Sequence, residues 1–358
     1  MRLFVAGGCG EHGRNSFLLE DDRINALVDC GIIEGTNPFP KLSKGQINKI
    51  RYLFLTHSHK DHSGGVEWLI SNGFQGSIIT TEETRKQCKI NYDNWIILPV
   101  SEQMPHLKQI DSMICVKYGR SGHCVGSIWL LLEWNHKKIL FTGDYKEKSP
   151  VYICDKIRNI TADLAVVDCA YGNNTIDYAK SVDSILKSIH NTIISGSTVL
   201  MPIPQFGRGV ELLQILKQSG ISLPVYMDTN CQENEIWMKT EIISTKPFKM
   251  WKGEPAVLLI SDPQLRRGEN YEVATAIYKK NGLILLTGHV YADTGAEELL
   301  KKKIAQTILY PVHMNYNEVY DMLKANQISN IILNHHAGEI SDDKGIALNV
   351  ETGTAMEF

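Results

Sequence analysis

Short apolar runs, each closed by a polar or glycine-rich stretch, set the rhythm of this chain. Residues 3–6, 16–19, 26–29, 52–55, 77–80, 95–98, 113–118, 128–134, 139–144 and 164–168 read as strands. Further along, residues 198–203, 224–227, 256–260, 283–287 and 331–334 read the same way, now alternating with longer amphipathic stretches. Helices are predicted over 66–72, with Gly73 as the stop, from 82, over 177–194 and 209–218, and from about 271. Several strands end on an acid or a histidine: Asp29, His57, Asp144, Asp168, His335 and His336.

Length and composition narrow the class. The 358 residues suggest about two domains, and a hydrophobic content of 43% with 22% charged residues suits a globular protein with real cores. The net charge of −3 means that a nucleic-acid substrate would need a local basic surface. None of the eight cysteines (Cys9, Cys30, Cys88, Cys115, Cys124, Cys154, Cys169 and Cys231) forms a C-x-x-C pair, so they read as scattered reduced thiols in a cytoplasmic protein. Residues 1–6 read as a first strand rather than a signal peptide. No apolar run approaches the ~20 residues that span a bilayer.

The stretch from Thr56 to Gly65 carries the densest chemistry. At a strand end, residues two apart project to one side, so His57 and His59 point together. Asp61 and His62 follow where the chain turns towards a helix expected to begin near Gly64 or Gly65. Imidazoles and a carboxylate suit a divalent ion such as zinc. Four such donors within six residues suggest two ions, about 3.5–4 Å apart, an arrangement that clamps a phosphoryl or acyl transition state. A histidine-rich polar loop is the plain alternative. His12, in the loop of residues 7–15, reads as structural or solvated, with a place near the metals as the alternative.

His57-x-His59-x-Asp61-His62 resembles the metal-binding signature of the metallo-β-lactamase superfamily. Gly122-His123-x-x-Gly126-Ser127 and the strand ending in Asp144 are similar to its third and fourth motifs. Asp168 followed by x-x-Tyr171-Gly172 resembles the motif that opens the insertion of the β-CASP nuclease branch. Gly207-Arg208 ahead of Glu211-Leu212, then Thr287-Gly288-His289, His313 with Asn315 in place of the usual aspartate, and His335 continue the β-CASP series in order. Residues 7–15 also look like the start of ribonuclease J.

The resemblance implies an α/β protein: a four-layer αββα metallo-β-lactamase fold with an inserted α/β β-CASP domain. The expected parts are residues 1–172, the insertion 173–305 and the return segment 306–358. It implies that His57, His59 and His123 hold one metal, Asp61, His62 and His335 the other, and that Asp144 bridges them. Asp29 would support the metal loop through hydrogen bonds. His336 stands where the family often has glycine and is the alternative to His335. The expected catalytic residues are Asp61, Asp168 and His313, with His313 as general acid oriented by Asp168. Candidate substrate contacts are Arg208, Gly209 and Ser127, joined by Lys252, Arg266, Arg267 and Lys301 to Lys303. The implied cofactors are two Zn2+, with Mn2+ as the alternative.

The implied activity is metal-dependent hydrolysis of single-stranded RNA by a hydroxide between the ions, leaving a 5′-phosphate and a 3′-hydroxyl. The strand would lie in a cleft between the domains. Endonuclease and 5′ exonuclease action are not distinguished, and no membrane partner is expected. A homodimer stays open, because the chain ends at Phe358 and is read as lacking the C-terminal extension of ribonuclease J and of the cleavage/polyadenylation endonuclease. The rival readings are a small-molecule hydrolase of the same superfamily, a DNA-acting β-CASP nuclease, and an inactive scaffold.

Overall fold

The computed structural model describes residues 1–220, 224–228, 235–241, 243–338, 340, 347–348 and 350–358. Cys231 lies outside the described residues. Two compact units form, one from Met1–Thr175 with His313–Phe358 and the other from Ile176–Val312.

The first unit contains two sheets. One runs in the order Ala355–Glu357, Arg2–Gly7, Ser16–Glu20, Asn25–Val28, Ile50–Phe54, Ser77–Thr80, Trp95–Ile97. The other runs Gln327–Asn334, Thr161–Asp168, Lys137–Phe141, Ile128–Trp134, Ile114–Arg120, His106–Gln109. Alternation along the strands explains the layering, because successive side chains face opposite sides. Leu18, Leu27 and Leu53 pack against Val66 and Leu69 of the helix Val66–Ser71. Phe17, on the other face, meets Phe141 of the second sheet, with ring centroids 6.0 Å apart. Leu140, Ala165 and Leu333 of the second sheet turn away to cover Val319 and Met322 of the helix Tyr316–Lys324. Helix, sheet, sheet and helix therefore stack in the metallo-β-lactamase arrangement. Each such fully buried side chain contributes about 1.5–3 kcal/mol.

Among the elements that differ from the sequence reading, two bear on the argument. Asp61 and His62 do not lie in an open turn; they sit in a one-turn helix, Lys60–Ser63, ahead of Val66–Ser71. Its carbonyls are fastened to neighbouring loops, with Asn15 N–H donating to Asp61 O at 2.8 Å and Cys30 N–H to His62 O at 2.8 Å. The strand His106–Gln109 had no apolar run to announce it. It lies at a sheet edge, where only one side is paired and half of its residues are exposed.

The second unit is a sheet whose strands all run parallel, in the order Lys246–Pro247, Val225–Met227, Val257–Ile260, Val199–Pro202, Leu283–Leu286, Ala305–Thr307. A parallel sheet needs cover on both faces. Val199 and Met201 pack on Ile185, Ile189 and Leu212 of the helices Tyr178–Ile194 and Arg208–Gln218. Leu200 and Leu258 pack on Ala274, Ile277 and Leu299 of the helices Gly268–Lys279 and Gly295–Lys301.

Candidate metal centre

Adjacent parallel strands end together and deliver the acids and one histidine of the site. In the second sheet, Phe141 pairs with Val166 and Asp168 with Asn334. Asp144, Asp168 and His335 thus emerge from neighbouring strand ends. In the first sheet, Val28 pairs with Phe54, so Asp29 and His57 leave side by side. Ile128 N–H donates to Thr56 O at 3.0 Å, which ties the loop carrying His123 to the loop carrying His57.

The two oxygens of Asp144 sort the histidines. Its Oδ2 lies 3.4 Å from His57 Nε2 and 3.3 Å from His123 Nε2. Its Oδ1 lies 3.0 Å from His62 Nε2 and 3.2 Å from His335 Nδ1. His59 Nδ1 is 3.2 Å from His123 Nε2, and Asp61 Oδ2 is 2.9 Å from His335 Nε2. Among the described residues three groups share Asp144, namely His57, His59, His123 and Asp144, then Asp61, His62, Asp144 and His335, and a third of Asp144, Asp168, His313 and His335 that overlaps the second, with the donor atoms of each group within 4.8 Å of one another. Donors about 2.0–2.1 Å from one tetrahedral zinc lie about 3.3 Å apart, which matches these separations. His57 Nε2, Asp144 Oδ1 and His335 Nδ1 are buried without a hydrogen-bond partner. Buried polar atoms are rarely left so, and a divalent ion on either side of Asp144 would supply what they lack. The residues present fit two ions.

Neighbouring carboxylates fix which nitrogen of His62 and of His313 faces the centre. Asp29 has left-handed backbone (φ 58°) and accepts from Thr56 N–H and Thr56 Oγ1–H, both at 2.8 Å. Its Oδ2 lies 2.7 Å from His62 Nδ1, so that nitrogen carries the proton and Nε2 is left for a ligand. Asn15 Nδ2 also approaches His62 Nε2, at 2.9 Å, and is held by Asn334, whose Nδ2 donates to Asn15 Oδ1 at 2.8 Å. Asp168 accepts from Tyr145 N–H and Ala170 N–H, both at 3.1 Å, and its Oδ2 lies 2.7 Å from His313 Nδ1. The His313 ring sits 5.0 Å from His123, 5.1 Å from His335 and 5.4 Å from Tyr171, centroid to centroid.

Burial and charge divide the titrations. Burial, with His57 beside it, pushes His59 down to about 4, and burial pushes His123 well below the usual histidine range. Burial acts in the same direction on His62 and His335. There Asp144 and the other nearby carboxylates, Asp29 and Asp61 for His62 and Asp168 and Asp61 for His335, outweigh it and raise both well above that range. Burial would raise the Asp144 and Asp168 carboxyls, but the surrounding histidines hold both below the usual carboxylate range.

The remaining candidates fall elsewhere. His335, rather than His336, belongs to the cluster. Ser127 is not presented to a substrate: it is 1% exposed, and its Oγ donates to Cys124 O at 2.7 Å and accepts from Cys124 N–H at 3.0 Å. That hydroxyl closes the turn that carries His123. Gly209 is buried in the second unit, where a Cβ would come within 2.4 Å of Ile203 Cδ1, so its small size serves packing. Arg208 opens the helix Arg208–Gln218, and its guanidinium lies against the backbone of Gly288. Lys301 and Lys302 pair with Glu297 and Glu298 on their own helix, at 2.9 and 2.5 Å. His12 stacks on His335, with ring centroids 4.8 Å apart. Among the described residues, no helix is long and apolar enough to cross a membrane.

Comparison with known proteins adds three findings. The family profile described as Metallo-beta-lactamase superfamily matches residues 9–196, more than half of the 358. A protein of Methanocaldococcus jannaschii named probable RNase MJ4 is 25% identical over 323 residues, covering 82% of this chain and 74% of its own length. An RNase J-like protein of the same organism is 24% identical over 374 residues, covering 89% of this chain and 88% of its own. The chain spans only 44% and 49% of the length of two further archaeal relatives. A crystal structure of a protein of unknown function from Enterococcus faecalis V583 superposes over 99% of both chains with a TM-score of 0.56 at 11% identity, a likeness of fold.

Proposed function

The chain belongs to the metallo-β-lactamase superfamily, in its β-CASP branch, and on that premise we propose that it is a ribonuclease that hydrolyses single-stranded RNA with two divalent ions. Asp144 carries this reading: one carboxylate stands between two sets of donors, with one oxygen turned to each. Relatives named as ribonucleases support RNA as the substrate. Zinc suits the nitrogen-rich donor sets, and manganese is the alternative. When bound, two such ions lower the pKa of a water and take up charge on the phosphate oxygens.

The chain's own residues do the rest. Asp61 and Asp144 bring negative charge that offsets part of the ions' positive charge. Asp29 keeps the His62 proton on Nδ1. Asp168, clamped by two backbone N–H groups, accepts from His313 Nδ1 and keeps that ring in one orientation. The general-acid role requires a second proton at Nε2, from which it would be given to the departing 3′ oxygen. Expulsion of that oxygen leaves a 3′-hydroxyl and a 5′-phosphate, and no 2′-hydroxyl takes part. Arg208, at the first turn of its helix, is the proposed backbone contact. Free thiols at Cys9, Cys30, Cys124 and Cys169 suit a reducing cytoplasm.

The test is cleavage of 5′-labelled single-stranded RNA beside matching DNA, with and without chelator, using Asp61→Ala/His62→Ala as control. Chelator-sensitive cleavage of RNA that the double variant lacks supports the proposal. Protein that contains two metals yet cuts neither polymer overturns it in favour of a small-molecule hydrolase.

A further inference from the structure

His335 is an awkward residue for the chain to hold. Its backbone is left-handed (φ 69°), a region that bulky side chains enter only when their surroundings impose it. Both ring edges also face carboxylates, with Nε2 2.9 Å from Asp61 Oδ2, and Nδ1 3.2 Å from Asp144 Oδ1 and 3.4 Å from Asp168 Oδ1. Only a contact on the ring face can fix its plane without competing for a nitrogen.

The glycine-rich loop near the N-terminus supplies that contact and holds the backbone as well. The His12 ring lies parallel to His335, with centroids 4.8 Å apart and planes 9° from parallel. His12 Nδ1 is 2.8 Å from His335 O, so it carries the proton and donates. His335 N–H in turn donates to Gly8 O at 2.7 Å. Gly8 itself has φ 98°, and a Cβ there would lie 2.7 Å from Asn15 Oδ1. Both backbone polar groups and one ring face of His335 are therefore held by a single loop more than 300 residues away in sequence.

We propose that His12 is a positioning residue for the Asp61/His62/His335 metal site: its ring and its Nδ1–H set the orientation of His335. The inference rests on the two-ion reading above. It predicts a loss confined to one ion, which a general loss of stability would not produce.

The experiment measures zinc affinity by chelator competition, in the wild type and in a His59→Ala background that weakens the other site. His12→Ala should weaken zinc at the His335 site about 10–100-fold, as removal of a ligand's supporting contact does. The His57/His59/His123 site should keep its affinity. His12→Phe restores the ring and His12→Asn restores a donor, so each should recover part of the loss. Unchanged zinc affinity in His12→Ala, or equal loss at both sites, would overturn the proposal. A wild type that binds fewer than two ions overturns the two-ion reading, and the inference falls with it.

Discussion

Asp29 Oδ2 sits 2.7 Å from His62 Nδ1 while the same carboxylate holds both the N–H and the hydroxyl of Thr56. One side chain thus sets the tautomer of a ligand and the path of the loop that carries it. Asp29→Asn keeps one oxygen and puts a donor-only NH2 where the other was, so either Thr56 N–H loses its acceptor or Thr56 Oγ1–H and His62 Nδ1–H lose theirs together. The variant should bind its second ion about 10–100-fold more weakly, with the fold retained by circular dichroism. Unaltered metal affinity would mean that the contact is incidental.

His313 should be separable from metal binding. If it donates the proton at Nε2, His313→Ala keeps both ions and loses roughly 10²–10⁴-fold in turnover. Metal analysis beside single-turnover kinetics decides the matter. Loss of an ion in this variant would make His313 a ligand, a role that its grouping with Asp144, Asp168 and His335 permits.

Acid should remove the two ions in a fixed order. A ligand must be unprotonated to bind. Carboxylates raise His62 and His335, so in the metal-free protein these remain charged to higher pH, and the second ion must displace their protons. His59 and His123, pushed down by burial, are already neutral where an ordinary histidine would charge. As the pH falls, the ion at Asp61, His62 and His335 should leave first. Metal content followed against pH checks this, and simultaneous loss of both ions contradicts it.

Gly31 tests how tightly the metal loop is held. A Cβ there would stand 1.7 Å from Asp61 O and 2.9 Å from Asn15 N, both backbone atoms with nowhere to go. Gly31→Ala should cost about 3 kcal/mol or more and displace the helix Lys60–Ser63, with metal lost alongside. Thermal unfolding of the metal-free protein reads the first effect, and metal content the second.

Legibility in the sequence followed distance along the chain. His57, His59, Asp61 and His62 fall within six residues, so the strand's two-residue period already aimed a pair of them together. The strands were visible because most are buried apolar runs, whereas His106–Gln109, a half-exposed edge, carried no such signal. Spacing could not choose between His335 and His336. The choice is made by a left-handed backbone and by Gly8, far away in sequence. His12 was unreadable for the same reason, since its partner lies at the other end of the chain. Ser127 misled because a motif serine resembles a substrate contact until its hydroxyl is seen closing its own turn.

The most direct test of the two-ion hydrolysis is to identify the ends that cleavage leaves. Single-stranded RNA would be cut in water enriched in 18O, and the product ends analysed by mass spectrometry. The account predicts one 18O atom in a 5′-phosphate and an unmodified 3′-hydroxyl, with no product once chelator is added. A 2′,3′-cyclic phosphate, or cleavage that survives complete removal of metal, would contradict it.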